Sequence, residues 1–248
     1  MTDKFIHIYN DKKELAEEFA QMLVAGTRDL PHDGYFSIAL SGGSTPAEIF
    51  RHLASEAGTA INWSKIRFFW GDERCVAPDH NDSNYRMAKE NLFNAIDIPA
   101  TNIFRIKGEN DPETEAKNYA SLVRKMLPAH DGIPRFDLFM LGLGDDGHTA
   151  SIFPDNIAGF YSKNLFIAAT NPYNQQVRVS ATGTLINQAR KVVLLVTGAT
   201  KAERLAQILK QKPGWEKLPA SLVQPVNGTL SWMLDQASAQ LLTNEAKT

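Results

Sequence analysis

Cysteine is almost missing from this chain. Its 248 residues include one, Cys75, so no internal disulfide can form and no cysteine cluster can hold a metal. An excess of one charge is missing too. The formal net charge is -2, without the basic surplus usual in nucleic-acid binders. No apolar run approaches the roughly 18 residues that a membrane span requires. The opening stretch MTDKFIHIYNDKKELAEEF has no apolar core of a secretory signal and reads as strand, then helix. The expectation is a cytoplasmic protein with no nucleic-acid and no membrane partner.

A further absence is local. Between Asn156 and Ala202 there is no Asp or Glu; the charged side chains are Lys163, Arg178, Arg190, Lys191 and Lys201. A positive window of that length suits an anionic ligand nearby. The same gap tests a motif. Gly142, Gly144 and Gly147 spell G-x-G-x-x-G after the apolar run FDLFML. A dinucleotide site would need an acidic residue about 20 positions on, to hold the ribose hydroxyls. None follows Asp155 until Glu203, and His148 stands directly behind the third glycine. The loop reads as catalytic rather than nucleotide-binding.

What is present is strand–helix alternation. Strand-like runs lie at 5–9, 35–40, 65–70, 136–141, 164–170, 176–182 and 191–198. A helix pattern follows the first, with Leu15, Phe19, Met22 and Leu23 on one face. Others follow at SGGSTPAEIFRHLASEA and ATKAERLAQILKQ. Continuous Val, Ile, Leu and Phe runs predict an α/β fold with a mostly parallel central sheet and helices on both faces. The close spacing of 164–170 and 176–182 predicts antiparallel pairing there. With 43% hydrophobic residues, no repeat and no low-complexity linker, residues 1–248 are expected to form one domain.

In such sheets ligands sit outside the carboxyl ends of the strands. One of these ends carries Ser41, Gly42, Gly43, Ser44 and Thr45, followed by Pro46 and a helix. Glycines let backbone N–H groups approach an anion, and a helix N-terminus favours negative charge. No Gly-Lys-Ser/Thr follows, so this is not a Walker loop. Lys201, at a second helix start, could reach the same phosphate. His148 is the candidate general base, with Asp146 two residues before it to orient the imidazole. Asp72, Glu73 and Arg74 follow another strand and are candidates for holding sugar hydroxyls. Cys75 reads as a small buried residue without an activating partner.

These blocks resemble those of a known family. SGGSTP, GDERCVAPDHNDSNY and FDLFMLGLGDDGHTASIFP look like the signature segments of the 6-phosphogluconolactonases, and VVLLVTGATKA and LPASLV resemble later ones, in order along nearly the whole chain. The resemblance implies a fold shared with glucosamine-6-phosphate isomerase/deaminases, a three-layer sandwich. It implies hydrolysis of 6-phospho-D-glucono-1,5-lactone in the pentose phosphate pathway, with no metal and no organic cofactor. His148 would be the base, Asp146 its partner and Lys201 a phosphate contact. Gly144 and Arg178 join the substrate-binding set, and N–H groups of a glycine loop with a nearby cation would meet the oxyanion. The sequence fits a monomer or a homodimer. Two alternatives stand beside it. The related deaminases have a block resembling D-G-H-I-A-F-N-E-P, with a Glu five residues after the histidine; here that place is Phe153, and Arg74 replaces a Tyr after the Asp-Glu pair. A non-catalytic sugar-phosphate sensor would keep the cradle and lose the base.

Overall fold

The computed structural model of the chain describes residues 3–55 and 59–242. The end of the helix expected through Ala57, and both extremes of the 1–248 domain, lie outside those residues. Eleven strands are formed among the described residues: β1 (Asp3–Tyr9), β2 (Phe36–Leu40), β3 (Ile66–Trp70), β4 (Asp72–Arg74), β5 (Ala129–His130), β6 (Ile133–Pro134), β7 (Leu138–Gly142), β8 (Phe166–Thr170), β9 (Val177–Ala181), β10 (Lys191–Val196) and β11 (Thr229–Asp235). The α-helices are α1 (Lys12–Arg28), α2 (Ser44–Leu53), α3 (Asn84–Ala88), α4 (Pro112–Met126), α5 (Gly183–Ile186), α6 (Ala202–Leu209) and α7 (Gln236–Ala239).

Six strands form one sheet in the order β1-β11-β10-β7-β2-β3, and every neighbouring pair is parallel. Strands buried on both faces must be apolar throughout, and LFML of β7 and VVLLV of β10 are fully buried. Helices lie around this sheet. α1 starts where Asp11 accepts the Glu14 N–H at 2.9 Å, and it buries Leu15, Phe19 and Leu23 as the helical periodicity requires. The expected antiparallel pairing is present, but in a second sheet, ordered β4-β9-β8.

Two large elements were not anticipated. α4 is amphipathic and begins at Asp111, whose carboxylate accepts the Thr114 N–H at 2.9 Å, with Pro112 in the first turn. β11 slots between β1 and β10, with Trp232 and Met233 buried. Nor is DER at 72–74 an open loop: it is the short strand β4, paired with β9. Among the described residues no helix is long and apolar enough to cross a membrane.

The path of the chain places the site. From β2 it steps outward to β3 at one edge. From β7 it steps the other way, to β10 and then β11. β2 and β7 are neighbours whose connections leave in opposite directions, and a crevice opens beyond the carboxyl ends at such a switch.

Candidate active site

The crevice is a pocket of about 250 Å³. Every predicted segment contributes to its wall: Ser41–Thr45 after β2, Asp72 and Arg74 on β4, Gly142, Gly144 and His148 around the end of β7, Arg178 on β9, and Lys201 after β10.

On one side lies the start of α2. Gly43 caps it at φ 106°, a conformation that L side chains rarely adopt. Gly42 permits a close approach: a Cβ there would sit 1.9 Å from Asn84 Oδ1. Asn84 is fixed in turn, because its Nδ2 donates to the Asp72 carbonyl at 2.9 Å. The first N–H groups of a helix have no intrahelical acceptor, so Ser44 and Thr45 offer donors to an anion. Thr45 Oγ1 also meets Thr197 Oγ1 at 2.6 Å, which ties this cradle to the loop after β10. That loop is anchored from below. Asp235, at the end of β11, accepts the Gly198 N–H at 3.0 Å. Lys201 thereby faces the pocket, its Nζ donating to Asp145 Oδ1 at 2.6 Å.

The histidine loop is held on all sides. Asp146 Oδ1 accepts the His148 backbone N–H at 3.0 Å and lies 2.6 Å from His148 Nδ1. A carboxylate can only accept, so Nδ1 carries a proton, and in the neutral ring the lone pair is on Nε2. Burial pushes the Asp146 carboxyl up. The hydrogen bonds from the His148 side chain and backbone, its charge and a bond from Tyr173 outweigh that and hold it well below the ordinary carboxylate range. Phe153 is buried against the imidazole, with ring centroids 4.6 Å apart. The two glycine N–H groups are spent inside the loop: Gly144 donates to the His148 carbonyl at 2.9 Å and Gly147 to the Gly144 carbonyl at 3.0 Å. The Gly144 N–H is therefore engaged within the loop. What Gly144 supplies is room, since a Cβ there would lie 2.1 Å from His148 Nδ1.

The Asp72–Glu73–Arg74 set divides by strand alternation. Asp72 and Arg74 line the pocket; Glu73 points away. Its carboxylate accepts from Arg74 N (2.8 Å), Ser83 Oγ (3.0 Å), Asn84 N (2.7 Å) and Tyr85 N (2.8 Å), which caps the start of α3. Glu73 thus supports the scaffold and does not line the pocket with Asp72 and Arg74. Asp72 Oδ2 accepts the Ser151 hydroxyl at 2.7 Å and so braces the segment behind His148.

Arg74 and Arg178 face each other as cross-strand partners. Like charges opposite one another on a sheet repel, so a pocket wall that holds both suits an anion. Arg178 is buried, and its guanidinium lies 5.7 Å from the Phe153 ring centroid. The rest of the positive window is elsewhere. Arg190 pairs with Asp137, and neither Lys163 nor Lys191 lines this pocket. Cys75 is half-buried, and burial pushes its thiol up to about 11, so it carries no thiolate near neutral pH.

Sequence reasoning missed three contributors: Asn84 behind Gly42, Asp235 behind Gly198, and Tyr173, whose hydroxyl donates to Asp146 Oδ2 at 2.8 Å. Asp235 and Tyr173 lie outside the signature segments; Asn84 lies inside one, but twelve residues from the Asp72 carbonyl that it binds.

Comparison with known proteins gives consistent results. A family model described as glucosamine-6-phosphate isomerases/6-phosphogluconolactonase matches residues 10–232. A 6-phosphogluconolactonase of Haemophilus influenzae is 42% identical over 206 residues, covering 83% of this chain and 87% of its own. The solved 6-phosphogluconolactonase from Trypanosoma cruzi superposes with a TM-score of 0.83 at 30% identity, covering 98% of each chain. A monomeric glucosamine-6-phosphate deaminase superposes at 0.79 with 20% identity, over 96% of this chain and 99% of its own, a likeness of fold alone.

Proposed function

Since the chain belongs to the glucosamine-6-phosphate isomerase/6-phosphogluconolactonase family, we propose that it is a lactonase, hydrolysing 6-phospho-D-glucono-1,5-lactone to 6-phospho-D-gluconate in the oxidative pentose phosphate pathway of the cytoplasm. The observation that carries this reading is the 2.6 Å contact between Asp146 and His148 in a pocket lined by cations and a helix start.

The substrate phosphate docks on Ser41–Thr45 and Lys201, displacing Asp145 from the Lys201 ammonium. The lactone carbonyl then lies toward His148 and the arginine pair. His148 Nε2 takes a proton from water as the oxygen of that water bonds to C1. The Asp146 carboxylate stabilises the imidazolium that results. Arg178, with Arg74 opposite, meets the charge growing on the carbonyl oxygen. The intermediate collapses by breaking the bond from C1 to the ring oxygen, which takes the proton back from His148. The product carries two anionic ends, and the pocket has a cationic group for each.

The deaminase alternative meets Phe153. An isomerase must move a proton between two sugar carbons and needs extra acid–base equipment. Here the position five beyond His148 is a buried phenyl ring packed on the imidazole. Residues 1–248 are read as one domain, supported by one hydrophobic cluster reaching from Leu15 to Ala239.

The test is titration by pH-stat with freshly made lactone. Acid release well above the spontaneous rate is expected, with no ammonia from glucosamine-6-phosphate. Ammonia release would replace the lactonase by the deaminase. Thermal stabilisation by 6-phosphogluconate without turnover would make the protein a sensor.

A further inference from the structure

Asp146 has two carboxylate oxygens, and the histidine uses one. Oδ1 takes both contacts from residue 148. Oδ2 takes the hydroxyl of Tyr173, from the connection between β8 and β9, 27 residues away. A carboxylate held through one oxygen can still swing about its Cβ–Cγ bond. A donor on the second oxygen removes that freedom.

The connection is built to present this phenol. Asn171 accepts the Tyr173 N–H on its Oδ1 at 2.9 Å and the Gln175 N–H on its carbonyl at 2.9 Å, while its own N–H donates to the Gln176 carbonyl at 3.0 Å. Gln175 closes the turn at φ 59°. Tyr173 is 71% exposed, so burial does not explain where its ring lies. The ring instead stands edge-on to Phe153, with centroids 6.4 Å apart, and Phe153 packs on the His148 imidazole. Tyr173 therefore touches both supports of the histidine, the carboxylate and the phenyl ring. Its bond to Asp146 raises the phenol above its ordinary range, so the proton to be donated stays on at working pH.

We propose that Tyr173 is a positioning residue of the lactonase site, fixing the Asp146 carboxylate in the rotamer that aims His148 Nε2 at the water. The role rests on the lactonase reading and acts through Asp146, with no contact to substrate required.

The experiment is a double-mutant cycle in the lactone assay, with Tyr173→Phe and Asp146→Ala made singly and together. Tyr173→Phe keeps the ring against Phe153 and removes only the hydroxyl. It should lower kcat about 2- to 10-fold, the rate equivalent of one modest hydrogen bond, with KM unchanged. In the Asp146→Ala background the same change should leave kcat unaltered, because no carboxylate remains to be held. Thermal melting of all three variants separates these effects from a loss of fold. Wild-type kcat in Tyr173→Phe, or an equal loss with and without Asp146, overturns the positioning role. An inactive wild type overturns the lactonase reading and the role with it, whereas an active wild type with an unaffected Tyr173→Phe removes the role alone.

Discussion

Gly144→Ala should disable the site without replacing any group that does chemistry. Gly144 does not have positive φ, so its backbone accepts alanine without strain. The new methyl is the difficulty. It would lie 2.1 Å from His148 Nδ1 and 2.3 Å from Cε1, where real contacts stay beyond about 3.0 Å. The ring must therefore retreat by about 0.9 Å. It has no easy path, with Asp146 at 2.6 Å from Nδ1 and Phe153 at 4.6 Å between centroids. A displacement near 1 Å costs roughly 10²-fold in rate, and complete loss of the base about 10²–10⁴-fold. The expected kcat of Gly144→Ala falls in that combined range. The affinity for 6-phosphogluconate, measured by calorimetry, should change only a few-fold, because the phosphate cradle at α2 is untouched. Overpacking should cost about 1–3 kcal/mol of stability, visible as a lower Tm. A variant whose kcat stays within threefold of wild type would refute the reasoning: the imidazole would then be free to shift, or would not be the base.

Three further outcomes are expected. His148→Ala should lower kcat by about 10²–10⁴-fold with little change in product affinity, and retained activity would remove the base assignment. Lys201→Ala should raise KM for the phosphorylated lactone in keeping with a lost charge-assisted contact of about 1.5–3 kcal/mol, and should spare unphosphorylated gluconolactone; equal losses on both would end its phosphate role. Glu73→Gln should act on stability. Its amide must turn the NH₂ toward Ser83 and orphan the Tyr85 N–H, at a cost of about 1–3 kcal/mol and about 2–4 °C of Tm per kcal/mol. An unchanged melting curve would show that the cap on α3 is not needed.

Much of the scaffold could be read from the sequence because a buried parallel strand has to be apolar along its length. FSIAL, IRFFW, LFMLG and KVVLLV declare themselves in that way. TLSWMLD of β11 is harder to read, since no helical pattern of any length follows it. The histidine loop was legible because His148 and Asp146 are two residues apart. The place of Glu73 was hidden because only pairing with β9 reveals that DER is pleated, sending the middle side chain to the opposite face. Tyr173 was invisible for a different reason. An exposed tyrosine in a turn has no periodicity, and its partner is 27 residues away, so only the fold brings them together.

The sheet order has a consequence for how the chain comes to be folded. Among the described residues β1 pairs with β11 and with no other strand of its sheet. Synthesis proceeds from the N-terminus, so the first strand made waits for the last. Until then the edges of β1 and β10 are open, with Phe5, Ile6 and Ile8 on the former. Such long-range parallel pairing is slow to form and leaves strands available for wrong partners in the meantime. The same event completes the pocket, because Asp235 at the end of β11 anchors the Gly198 turn that carries Lys201. A nascent chain short of β11 would hold Asp146 and His148 and still lack the anchor that settles Lys201. Activity should emerge in one step, at closure of the sheet.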